Sequence, residues 1–134
     1  MPSIHDACCA LADVIGTVDG LRAKGYADDQ INPPEAHVYT RDFDPRMVFG
    51  NTKRPFLLGV RLFVKRTDAR SAQRTLRDYM EPTGPTSILA AIENEDYWEV
   101  DVDYAEVTNI GQPFEMELPA EIYWAVDIDV EVTW

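Results

Sequence analysis

IYWAVDIDVEVTW, residues Ile122 to Trp134, decides the fold class. Ile122, Trp124, Val126, Ile128, Val130, Val132 and Trp134 alternate with Tyr123, Ala125, Asp127, Asp129, Glu131 and Thr133. A period of two over this length is a strand with one apolar and one acidic face. Trp98, Val100, Val102 and Tyr104 alternate in the same way with Glu99, Asp101 and Asp103. Two long strands of this kind are expected, joined by a turn or arm over 109–120, where Gly111, Pro113 and Pro119 fall.

Working outward, Phe56 to Lys65 reads as a further strand. Phe56, Leu58, Val60, Leu62 and Val64 lie on one face, and Leu57, Gly59, Arg61, Phe63 and Lys65 on the other. Both faces are partly apolar, which points to a central position. A short strand is expected over Ala36 to Thr40. Between the two lies a projecting arm, about 41–54, mixing charges with Phe43, Met47 and Phe49.

Helical spacing appears three times. Ile4, Cys8, Leu11, Ile15, Val18 and Leu21 step by three and four, which predicts a helix from a Ser3 cap to near Gly25. Ala69, Ala72, Leu76 and Tyr79 or Met80 predict a second helix, capped by Thr67 or Asp68, with Arg70, Arg74 and Arg77 on another stripe. A third, capped by Thr86 or Ser87, runs through Ile88 and Ile92 to about Glu95. The order α-β-β-α-α-β-β implies an α+β domain over 1–134, an antiparallel or mixed sheet with helices packed on one face.

Charge is sorted along the chain. Ten of the twelve basic residues fall between Arg41 and Arg77, and fourteen acids follow Asp78 with no Lys or Arg among them. The formal net charge of -12 argues against nucleic-acid or anionic-membrane binding. No apolar run is long enough to span a bilayer, and the N-terminus lacks the features of a secretion signal. Adjacent Cys8 and Cys9 offer no disulfide framework, which fits a reducing compartment.

No enzymatic motif is present: there is no phosphate loop, nucleophile elbow or His-Glu-x-x-His sequence. His5 and His37 are read as surface or edge histidines without a Cys or carboxylate at metal-ligand spacing, and the cysteines as core. No catalytic residue, cofactor or metal is expected. Glu99, Asp101 and Asp103 beside Asp127, Asp129 and Glu131 form a face of like charges, which water and salt, a cation or a basic partner must compensate. Arg70, Arg74 and Arg77 supply such a partner surface on a neighbouring copy.

The stretch 61–95 carries a resemblance. Asp68-x-Arg70-x-Ala72-Gln73-x-x-Leu76, then Tyr79, then Gly84-Pro85-x-Ser87-Ile88-x-x-Ala91-Ile92-Glu93 resembles the head-to-tail connection proteins of long-tailed phages infecting actinobacteria, and among them the tail terminators. The resemblance implies a sheet-and-helix subunit in a hexameric ring. Such a ring caps the tail tube, ends its polymerisation and meets the neck connector or stopper protein, while genomic DNA passes through without specific binding. It places the protein in the virion, at the tail–neck junction, after assembly in the host cytoplasm. It also makes the arm residues Phe43, Met47 and Phe49 subunit contacts. A head-side connector or stopper and an acidic, DNA-mimicking inhibitor are the alternative readings. The acidic strands then either line the lumen or dock on the arginine stripe.

Overall fold

The structure is a computed structural model that describes residues 4–18, 20–26, 31, 34–42, 56–65, 69–84, 86–93, 104–117 and 121–133. A six-stranded sheet is packed against three helices in an α+β arrangement. The elements in chain order are α1 (Ile4–Ile15), β1 (Arg22–Lys24), β2 (Glu35–Asp42), β3 (Phe56–Lys65), α2 (Ala69–Met80), α3 (Ile88–Glu93), β4 (Tyr104–Ile110), β5 (Phe114–Glu117) and β6 (Ile122–Thr133). The strands lie in the order β1-β2-β3-β6-β4, with β5 also paired to β6. β1 is parallel to β2, and every other pairing is antiparallel.

The two strongest alternating segments make the centre of the sheet. β3 and β6 pair over their length, from Phe56 opposite Val132 to Lys65 opposite Tyr123. Leu58, Val60, Leu62 and Val64 therefore share a face with Trp124, Val126, Ile128, Val130 and Val132. That face meets Ala7, Leu11, Val14 and Ile15 of α1, Ala72, Leu76 and Tyr79 of α2, and Ile88 and Ile92 of α3. Each large side chain fully buried here contributes about 1.5–3 kcal/mol.

Sequence expectations change at three places. The first helix stops at Ile15, ten residues short of Gly25. Gly16 and a Thr17 hydroxyl bonded back to Val14 O weaken its end, and Gly20 adopts φ 76°, outside helical space. Val18 and Leu21 are still buried, so their apolar spacing reports the core and not helix. The next three residues, Arg22–Lys24, form a strand too short to show a period.

The segment 109–120, expected to be turn or arm, is largely strand. β4 and β5 run in the same direction along one edge of β6, with residues 111–113 as an irregularity between them. There the Gly111 amide donates to Asp127 O at 2.8 Å. The acidic strand expected at Trp98 to Tyr104 is described only from Tyr104, where β4 begins. Of the arm at about 41–54, Arg41 and Asp42 belong to β2, and the rest lies outside the described residues.

Gly59 is needed for a close approach. Tyr39 of β2 is its direct partner and lays its ring over it, and a Cβ at Gly59 would come within 2.3 Å of Tyr39 Cζ. α3 starts at a buried Ser87, whose hydroxyl accepts the Ala90 amide at 3.0 Å and donates to Glu81 O.

Candidate functional site: two charged surfaces on opposite sides

β6 carries Asp127, Asp129 and Glu131 on the sheet face away from the helices, because Val126, Ile128, Val130 and Val132 take the other. The register sets Arg61 of β3 directly opposite Asp127. Its guanidinium donates from Nε to Oδ1 at 2.7 Å and from Nη2 to Oδ2 at 3.1 Å, a bidentate pair. Arg61 also lies between the rings of Tyr39 and Phe114, 5.8 and 5.6 Å from their centres. The Asp127 carboxylate raises the Arg61 pKa further by accepting these bonds, so the guanidinium stays charged. Arg41 donates to Asp129 Oδ1 at 2.7 Å.

This corrects the expected compensation of the acidic face. Asp127 and Asp129 are neutralised by arginines of their own chain. Glu131 stands differently: across the β4 pairing it faces Glu106, a like charge directly opposite. No ion pair to either is present among the described residues. Such a pair is destabilising by about 0.2–1 kcal/mol until a cation approaches. Glu106 thus joins the site. Its segment, between the alternating run that ends at Tyr104 and the glycine and prolines that follow, carries no strand signal of its own. Glu99, Asp101, Asp103, Phe43, Met47 and Phe49 lie outside the described residues.

The second surface is the outer side of α2. Ala72, Leu76 and Tyr79 are buried, so Arg70, Arg74 and Arg77, on the opposite side of the helix, are all exposed. No ion pair to any of them is present among the described residues. Asp78 is the one acid of α2, so three arginines less one aspartate leave it at +2. One subunit therefore presents cations outside its helix layer and a carboxylate pair on its open sheet face.

His5 is exposed, as a surface histidine should be, but His37 departs from expectation. His37 is 2% exposed, and its Nε2 lies 2.9 Å from Oε2 of an equally buried Glu35. Lys24 Nζ sits 3.4 Å from the other oxygen, tying edge strand β1 to β2. The ring of Phe63, 5.0 Å away, covers His37, and Tyr123 meets Phe63 edge-on. Ile31, Phe114 and Met116 close a small second core over this end of the face. His5 has Cys9 Sγ 3.6 Å from its Nε2. Each histidine thus has a ligand-type neighbour, at two residues for His37 and at four for His5. Cys8 is buried as expected, and burial pushes its thiol pKa up.

Among the described residues no group of three or more His, Cys, Asp and Glu is placed to hold a metal ion. No described helix is long and apolar enough to cross a membrane. No protein-family model matches the chain, and no curated protein is significantly similar to it.

Proposed function

We propose that this chain is a structural virion protein that joins copies of itself head to tail into a ring. The ring caps the tail tube of a long-tailed phage, ends its polymerisation and meets the neck. The observation that carries the reading is the opposition of the two surfaces: exposed arginines outside the helix layer, and the Glu106–Glu131 pair on the open sheet face. Different surfaces meeting in this way give a heterologous contact, which closes as a ring when the rotation permits. The resemblance over 61–95 supports the phage neck as the setting and six as the ring number. A net charge of -12 suits a channel that DNA crosses without sticking.

The experiment is electron microscopy of particles assembled without this chain. The reading predicts filled heads beside detached, overlong tails. Loose tails of normal length with leaking heads would move the protein to the head side of the neck. Intact virions would overturn the structural role and favour an acidic inhibitor.

A further inference from the structure

We propose that His5 and Cys9 form a two-ligand clip for a thiophilic divalent cation of the zinc class. The two side chains stand four residues apart on α1, so they share one face of the helix. Their Sγ and Nε2 atoms are 3.6 Å apart. Tetrahedral zinc, with bonds of about 2.3 Å to sulfur and 2.0–2.1 Å to nitrogen, sets those two atoms roughly 3.5 Å apart. The bite is therefore already in place.

The pair is both reachable and fixed. His5 is exposed and Cys9 partly so. The other side of α1 is locked into the core through Ala7, Cys8, Leu11 and Ile15. The chain passes close to Cys9 at Gly25, where an added Cβ would fall 3.2–3.3 Å from the cysteine's Cα, N and Sγ. The other histidine pair makes a useful contrast. Glu35 and His37 are closed to ions, and the Lys24 ammonium already occupies the carboxylate.

The chemistry is ligand exchange without redox change. The cation loses two waters, the Cys9 thiol releases its proton to solvent, and neutral His5 donates the Nε2 lone pair. Two positions remain for water. Imidazole and thiolate together favour zinc-like ions over magnesium or calcium. Binding strengthens as pH rises, because protons compete for both ligands. The negative charge of the chain raises the local cation concentration.

The test is titration of the reduced full chain with Co2+ and with Zn2+, using the thiolate-to-cobalt absorption and calorimetry. One equivalent should bind with the thiolate band and be displaced by zinc. Cys9→Ser should remove the band, His5→Ala should weaken binding at least tenfold, and Cys8→Ser should change neither. Unaltered thermal melting of His5→Ala would show that the loss is not misfolding. Absence of the band in the unaltered protein would leave the 3.6 Å contact as a thiol–imidazole hydrogen bond and overturn the proposal. So would a band that survives Cys9→Ser, or equal affinity in His5→Ala.

Discussion

Breaking the Arg61–Asp127 pair tests whether the acidic strand is neutralised from within. The perturbation is a double-mutant cycle, with Arg61→Met to keep the stem between Tyr39 and Phe114, and Asp127→Asn to keep the shape. Two unit charges 4 Å apart at an effective dielectric of 20 interact by about 4 kcal/mol, an upper bound before desolvation. Their side chains are 32% and 29% exposed, so solvent screens much of that. Exposed pairs are worth about 0.2–1 kcal/mol, and a bidentate charged bond is roughly twice as strong as a neutral one. The expected coupling is therefore about 1–2 kcal/mol. Asp127→Asn alone should cost about 2 kcal/mol, because it leaves the guanidinium half-buried and without its counter-charge. For a domain of this size that is a fall in Tm of roughly 8 °C. Urea melts of the four proteins at low and moderate salt measure it. A coupling below about 0.3 kcal/mol, within the error of additivity, would refute internal neutralisation. Asp127 would then be available to a partner.

Other predictions follow from the same structure. Ser87→Ala should destabilise by about 1–2 kcal/mol in urea melts, because it uncaps a short helix and removes the donor to the Glu81 carbonyl. Glu131→Gln should stabilise the isolated subunit by about 0.5 kcal/mol, an effect that shrinks as salt is added. The same change should weaken association of copies, read by sedimentation. Burial pushes the Tyr79 and Tyr123 hydroxyls above their ordinary value of 10, helped by Asp78 at the first and by Glu121 and Glu35 at the second. The unfolded chain then ionises first, so stability is whole below pH 10 and falls as pH climbs through the folded-state values. Thermal melts against pH should show this fall, and Tyr79→Phe should reduce it.

The legible parts of this fold were those whose burial leaves a periodic trace. β6 alternates along most of its length because helices cover one of its faces, and β3 is apolar on both faces because a second, smaller core covers part of the other. β1 has three residues and leaves no period, and β5 was hidden by Gly111 and Pro113, which read as turn signals. An edge strand needs only one partner, so it tolerates such residues and sends a weaker signal. The Arg61–Asp127 pair depends on register between segments 66 residues apart, which composition does not encode. Both residues could be assigned to strands, but not to opposite positions. The arginine stripe of α2 was visible because helical spacing alone separates Arg70, Arg74 and Arg77 from Leu76. The His5–Cys9 spacing was also present in the sequence. Spacing alone does not show that it matters, because Cys8 and Cys9 are adjacent and only the fold sends one into the core and leaves the other partly exposed.

The central claim, head-to-tail association through opposite charges, is tested most directly by native mass spectrometry of two charge-reversed proteins. One carries Arg70→Glu, Arg74→Glu and Arg77→Glu, and the other carries Glu106→Arg and Glu131→Arg. Each alone presents like charges on both of its surfaces, while a mixture restores complementarity at every contact. The account predicts that neither protein assembles alone and that an equimolar mixture forms closed rings of alternating subunits. Rings formed by either protein alone, as readily as by the unaltered chain, would contradict it.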